Sequence, residues 1–262
     1  MPLRIDVVTI FPAMIEAPTA DGIVGRARSA GIVDIHATDL RDFSDDKHRA
    51  VDDAPFGGGP GMVMMAEPFA RAVESLLPDG AGEQHAVVLL SPRGRRFDQK
   101  TAERYAGKDR LVLLCGRYEG IDERVREALA TEEVSLGDFV LTGGEVAALA
   151  VIEATVRLLE GALGHAGSAK ADSFAEGILD FPHYTRPAEW RGRRVPEVLL
   201  SGDHGRVWRF RRREALRATL ERRPDLLRAA RLSPEEEALL REIEDETTNQ
   251  AVDVHEKVGM ER

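Results

Sequence analysis

Three short apolar runs, residues 5–11, 86–90 and 111–115, limit the folds open to this 262-residue chain more than any other feature. Each is strand-length and bounded by proline, glycine or charged residues. None shows the polar alternation of a strand with one wet face, so each predicts a strand covered on both faces. Helical spacing fills the intervals: Phe69, Val73, Leu76 and Leu77 fall on one face of residues 68–77, and residues 98–105 carry a second helical pattern. Strand, helix, strand at this spacing predicts a parallel α/β sheet. A fourth short segment, 133–135, enters a glycine-punctuated loop over 137–144, and an apolar helix is predicted from Glu145 to about Leu159.

After Gly161 the pattern changes to a polar stretch of low periodicity, longer than connections inside a compact domain usually are. From Trp208 onward helical pieces are predicted, broken at Pro224 and Pro234, with Ser233-Pro234-Glu235-Glu236 as a helix start. The expected organisation is an α/β domain over 1–161, a linker over 162–180 and a small helical domain over 181–262.

The net charge of −10 taken whole argues against nucleic acid, but its distribution does not. Residues 186–231 hold 14 arginines and 6 acids, whereas residues 232–262 hold 3 bases and 10 acids. A basic block of this kind is a candidate phosphate-binding surface, because counterion release rewards local clustering of positive charge. The bland alternative is an arginine-rich helix paired internally, and the tail over 235–246 reads as a solvated acidic helix.

A single cysteine, Cys115, excludes a disulfide scaffold and zinc-finger ligation, and its apolar neighbours predict a buried thiol in a reducing, cytoplasmic setting. The chain opens directly into Arg4-Ile5-Asp6-Val7-Val8, and no run of about 18 apolar residues occurs, so neither export nor a membrane span is expected. Pro55-Phe56-Gly57-Gly58-Gly59-Pro60-Gly61 invites comparison with a phosphate cradle. It lacks the Lys and Ser/Thr of a Walker loop and runs into Met62-Val63-Met64-Met65 rather than a helix, so it reads as a tight turn. The acids Asp52 and Asp53 beside it could accept from a nucleobase edge.

Three further segments end apolar strands with loop chemistry: Leu90-Ser91-Pro92-Arg93-Gly94, Cys115-Gly116-Arg117-Tyr118-Glu119-Gly120 and the 137–144 loop. Ligands of open parallel sheets bind at the carboxyl ends of strands, so three such loops can share one pocket for a flat, nucleotide-like ligand.

The stretches Phe56-Gly57-Gly58-Gly59-Pro60-Gly61-Met62, Cys115-Gly116-Arg117-Tyr118-Glu119-Gly120-Ile121-Asp122-Glu123-Arg124, Gly137-Asp138-Phe139-Val140-Leu141-Thr142-Gly143-Gly144-Glu145, and Asp172-Ser173-Phe174 with Pro182-His183-Tyr184-Thr185-Arg186-Pro187 resemble the bacterial tRNA (guanine-N(1))-methyltransferase family of the SPOUT class. The resemblance runs in order from about Leu3 to about Leu240. It implies a SPOUT-type parallel sheet with a deep trefoil knot, a homodimer with composite active sites, and tRNA as substrate, methylated on the guanine 3′ of the anticodon.

The same resemblance implies S-adenosylmethionine held by Leu89, Leu90, Ser91, Pro92, Gly116, Tyr118, Glu119, Gly120, Leu136, Gly137, Asp138, Phe139, Val140, Leu141, Gly143 and Gly144. By position Asp172 matches the general base and Arg157 the group supporting charge on the guanine oxygen. Asp52, His183, Arg186, Arg211 and Arg212 match substrate contacts, and a magnesium requirement is implied without a ligand set. The chain departs from the family pattern at Leu89, Phe139, Ala147 and Trp208, where an aromatic, tyrosine, proline and a basic residue are usual. The competing class is a knotted RNA- or nucleotide-binding module without this activity; Arg157, Asp172 and an intact 137–144 loop together favour the enzyme.

Overall fold

The computed structural model describes residues 1–164 and 172–259, with side chains described through residue 246. The chain divides into two compact units, Met1–Ala166 and Gly167–Arg262. Residues 165–171 of the expected linker lie outside the described residues.

The first unit runs β1 (Leu3–Thr9), α1 (Ala13–Glu16), α2 (Gly22–Ser29), β2 (Val33–Asp39), β3 (Asp52–Asp53), β4 (Val63–Met64), α3 (Ala66–Leu76), β5 (His85–Arg96), α4 (Gln99–Ala106), β6 (Arg110–Cys115), α5 (Glu123–Ala128), β7 (Glu132–Ser135) and α6 (Glu145–Val156). Five strands form one parallel sheet in the order β2-β1-β6-β5-β7. Alternate residues of the three apolar runs face opposite layers. Ile5, Val7, Val88, Leu111 and Leu113 pack with Val24, Tyr105, Val151 and Ile152. Val8, Val87, Leu89, Val112 and Leu114 pack with Phe69, Ala72 and Val125. Coverage on both faces is the physical reason that these strands lack polar alternation.

Strand β2 is absent from the sequence-based expectation. It alternates, with Val33 and Ile35 buried and His36 exposed, because it lies at an edge of the sheet and pairs only with β1. Continuous apolar runs mark doubly covered strands and pass over such an edge. The expected strand over 5–11 ends instead at Thr9, since Pro12 and the turn before α1 take the chain out of the sheet. The expected helix over 145–159 ends at Val156, with Arg157 as its cap. The turn over 55–61 joins β3 to β4, and Gly58 N donates to Pro55 O at 3.2 Å.

The second unit contains β8 (Glu189–Trp190), β9 (Arg193–Arg194), α7 (His204–Arg222), α8 (Pro224–Leu227) and α9 (Pro234–Gly259). Helix α7 starts four residues before the expected Trp208, because Asp203 caps it by accepting from Arg206 N at 3.0 Å. The region before it, inside the 181–262 domain but ahead of the helices expected from Trp208, holds the β8–β9 hairpin and a 3₁₀ turn at Glu197–Leu200. Ala215 and Leu216 of α7 pack with Leu239 and Ile243 of α9 and with Ile178. Ser233 and Glu236 form a reciprocal capping box, with Ser233 N donating to Glu236 Oε2 at 2.6 Å.

The acidic tail does not stand alone in water as expected. Glu242 pairs with Arg209 at 2.8 Å, Glu246 pairs with Arg213 and Arg217, and Glu236 pairs with Arg212. Much of the basic block on α7 is thus neutralised within the unit by α9.

One excursion interrupts β5. Leu90 and Arg95 both register with Val134 of β7, so residues 91–94 leave the sheet and return to the same partner. Gly94 closes this excursion: a Cβ there would stand 2.3 Å from Val134 N and 2.5 Å from Glu133 C. Backbone cannot yield as a flexible side chain would. Gly94→Ala is therefore expected to cost about 2 kcal/mol of stability in urea denaturation, whereas Gly82→Ala, near only the His85 ring at 4.0 Å, should leave the midpoint unchanged.

Candidate functional site

At the carboxyl ends of β5, β6 and β7 the chain opens a cleft of about 350 Å³. Its walls are the β5 excursion, the turn after β6 and the loop between β7 and α6. The turn after β6 is tied outward to β4: Met64 N donates to Gly120 O at 2.9 Å and Glu119 N to Met62 O at 3.0 Å. Tyr118 there has φ +60, a left-handed backbone conformation that an aromatic residue rarely adopts. Gly144 N donates to Gly116 O at 2.9 Å, stitching the two later loops together.

Fifteen of the sixteen residues expected to hold the cofactor line this cleft, from Leu89–Pro92 through Gly116 and Tyr118–Gly120 to Leu136, Gly137, Phe139–Leu141, Gly143 and Gly144. Asp138 is the exception. Its carboxylate points to solvent, 91% exposed, and pairs with Arg96 at 2.9 Å. Buried Leu89, Leu90, Val134 and Ala147 supply apolar surface, while the Tyr118 and Phe139 rings stand half-exposed at the rim. Glycine backbone, apolar floor and rim rings suit a flat heterocycle. Acidic Glu119 and Glu133 on the walls suit a cationic group, so the residues present fit S-adenosylmethionine.

Of three side chains that the sequence reading left out, Arg117 lines the cleft and Thr9 and Glu145 stand behind it. Thr9 Oγ1 donates to Glu145 Oε1 at 2.6 Å, and Arg117 Nη2 lies 2.9 Å from Glu145 Oε2. Glu145 and Thr9 are fully buried, and the carboxylate sits in the first turn of α6, where the helix dipole favours negative charge. Beside them, burial pushes the Cys115 thiol well above its usual range, with the Glu145 charge adding to the effect. An acid opening an otherwise apolar helix, and an arginine just after a buried strand, were the available signals for this pair.

Asp122 closes the β6 turn and caps α5, accepting from Arg124 N at 2.9 Å and from Arg124 Nη2 at 2.6 Å. The Arg124 side-chain hydrogen bond holds its carboxyl low, at about 2.

The remaining expected residues fall elsewhere. Arg157 caps the C-terminal end of α6, twelve residues and about 18 Å of helix from the cleft that adjoins its N-terminus. Asp172 opens the described part of the second unit, in a turn where Ala175 N donates to Asp172 O at 3.2 Å. Asp52 pairs with Met64 in the β3–β4 hairpin.

His183, Arg186 and Arg211 come together in the second unit around a hollow of about 300 Å³. The Phe181 and His183 rings are 4.6 Å apart, Arg211 lies over Phe181 at 5.0 Å, and His183 Nε2 meets Asp180 Oδ2 at 2.9 Å. Arg212, expected beside Arg211, does not line this hollow. It is 19% exposed and engaged by Glu236 and by Glu176 at 2.7 Å, because its position on α7 faces α9.

Among the described residues no group of three or more His, Cys, Asp or Glu side chains gathers to hold a metal ion, so the magnesium expectation finds no ligand set there. No described helix is long and apolar enough to cross a membrane.

A family model described as tRNA (Guanine-1)-methyltransferase TrmD matches residues 3–229. This chain belongs to the TrmD family. Relatives bearing the name tRNA (guanine-N(1)-)-methyltransferase include those of Moorella thermoacetica, 52% identical over 241 residues, with 92% of this chain and 96% of the relative covered. The relative from Geobacter metallireducens is 51% identical, with 93% and 98% covered. That from Desulforudis audaxviator is 54% identical, with 91% and 95% covered. The matched span of this TrmD family member includes the whole cleft and the hollow around Arg211.

The depressed Asp122 carboxyl fixes a pH dependence. A carboxyl lowered on folding stabilises fully above its unfolded value of about 4 and loses that contribution as pH falls toward 2. Urea denaturation of the wild type and Asp122→Asn should differ at pH 5 and converge near pH 2; a constant difference would contradict the cap.

Proposed function

We propose that this chain transfers the methyl group of S-adenosylmethionine to N(1) of a guanine in tRNA, the guanine 3′ of the anticodon. The observation that carries the reading is the gathering of three strand-end loops into one cleft, within a chain that matches the TrmD family over nearly its whole length. The alternative of a knotted binding module without activity has no comparable support, since the relatives are named as methyltransferases.

When bound, S-adenosylmethionine supplies a methyl carbon made electrophilic by the sulfonium. Guanine N(1) bears a proton and attacks poorly until it is removed. In the proposed mechanism the Asp172 carboxylate accepts that proton, and the Arg157 guanidinium faces the guanine oxygen onto which the negative charge moves. The N–C bond then forms as the C–S bond breaks. The cleft contributes alignment and exclusion of water.

Two features of arrangement belong to the same proposal. The loop stitching between Gly116 and Gly144, in a sheet of order β2-β1-β6-β5-β7, fits a chain threaded through its own loops as a deep trefoil knot. Arg157 lies at the far end of α6 from the cleft of its own copy, which supports a homodimer whose sites combine residues of two copies. On this reading the first unit is the cofactor domain and the second, with its Phe181–His183–Arg211 hollow, meets tRNA. A buried Cys115 and a tRNA substrate suit a reducing cytoplasm.

The test is mass spectrometry of tRNA carrying guanine 3′ of the anticodon, incubated with the protein and S-adenosylmethionine. A gain of one methyl on N(1) of that guanine is expected, and unmodified tRNA would overturn the reading. Asp172→Asn should lower the single-turnover rate by roughly 10²–10⁴-fold, as loss of a general base does, with S-adenosylmethionine affinity unchanged in calorimetry.

The two arginines of α7 should separate. Arg211→Gln is expected to weaken all tRNAs alike and flatten the log–log salt slope of binding by up to about one unit. Arg212→Gln should leave that slope unchanged and lower stability by about 1 kcal/mol or more, because Glu236 and Glu176 lose their partner.

A further inference from the structure

We propose that Arg117 is a positioning residue for the cofactor: it fixes the 142–144 segment against the 116–120 turn, so that the backbone groups of both loops stand preformed around the cleft. The inference rests on the methyl-transfer reading of that cleft and assigns a role to a residue that reading does not use.

Four elements meet on this one guanidinium. Nη2 lies 2.9 Å from Glu145 Oε2, at the start of α6, and 3.2 Å from Met14 Sδ on α1. Nη1 lies 3.4 Å from Thr142 O and 3.5 Å from Thr142 Oγ1, in the cleft loop itself. The Phe11 ring, just beyond β1, lies under the guanidinium at 4.6 Å. A fork of planar donors can hold several such partners at once, which a single ammonium cannot.

The backbone is built around this side chain. Arg117 and Gly143 form an isolated antiparallel bridge, and a Cβ on residue 143 would stand 2.2 Å from Arg117 Nε and 2.5 Å from its Cδ. Glycine at 143 therefore leaves the corridor through which Arg117 reaches Glu145. Arg117 is only 16% exposed, and both of its loops line the cleft, so a shift of the guanidinium moves cleft backbone rather than distant surface. Misplacement of a binding group by about 1 Å is enough to cost orders of magnitude in rate.

A purely structural ion pair would predict something else, and the two can be parted. Arg117→Met alone strands the buried Glu145 carboxylate and should lower the melting temperature. Arg117→Met combined with Glu145→Gln removes the stranded charge and keeps an acceptor for Thr9, so it should recover most of that loss.

The decisive readout is S-adenosylmethionine affinity by calorimetry on the tRNA-free protein, with KM for tRNA measured beside it. The double variant is expected to melt near the wild type yet bind the cofactor at least about tenfold more weakly, with KM for tRNA unchanged. A double variant with wild-type melting and cofactor affinity within twofold of wild type would overturn the proposal. Should the double variant not fold, Arg117→Lys decides in the same way: it keeps a cation for Glu145 but cannot also hold Thr142. Weakened cofactor binding supports the proposal and wild-type affinity overturns it. Failure of the wild-type protein to bind S-adenosylmethionine would instead overturn the reading of the cleft.

Discussion

A buried carboxylate with an arginine on one oxygen and a threonine hydroxyl on the other sits where the first unit converges. Glu145 receives Thr9 from the end of β1 and Arg117 from the turn after β6, and it begins the helix that covers one face of the sheet. Burying such a charge is unfavourable unless each oxygen is answered. The sheet, the helix and the loops must therefore arrive together for any of them to be satisfied. Apolar packing around Val7, Leu113 and Val151 supplies the cohesion, but it does not by itself specify which loop lies beside which. The polar link does that, and the cleft inherits its shape.

Much of this unit was legible in the sequence because doubly covered strands write themselves as apolar runs. Residues 86–90 and 111–115 became the central strands β5 and β6, and the glycine-bearing segments after them became the cleft. The edge strand β2 was not legible, since one-sided pairing leaves an alternating pattern that a search for apolar runs passes over. Helix α5, six residues long, was too short for its periodicity to stand out, and α2, as long as the legible α4, buries Val24 with only Gly25 and Ala27 beside it, which leaves no broad apolar stripe in the sequence. Asp138 was assigned to the cofactor by motif position, yet its side chain turns outward to Arg96 because its neighbours Gly137 and Phe139 take the inner places. Motif position fixes the backbone path of a loop and leaves the direction of each side chain to local geometry.

The second unit shows where a count of charges stops being informative. Fourteen arginines over residues 186–231 read as one surface, but three-dimensional pairing divides them. Arg209, Arg212, Arg213 and Arg217 turn toward carboxylates on α9 or its approach, while Arg211 turns the other way, onto Phe181. The spacing of a helix is enough to send neighbours in sequence to opposite environments. The acidic tail is thus the internal counterpart of the basic helix, and it reduces the long-range field that the arginine block would otherwise project.

The β5 excursion has a consequence for how such a site can vary. Because Leu90 and Arg95 both register with Val134, the detour takes up a five-residue shift of β5 against β7, and residues 91–94 have no partner in that ladder. A change of sequence at Ser91, Pro92 or Arg93 is confined to the detour and is not passed along the sheet as an altered register. The cleft wall is in this respect an interchangeable part: ligand-facing chemistry can be rewritten there while the hydrogen-bond ladder on either side, and the core beneath it, stays as it was.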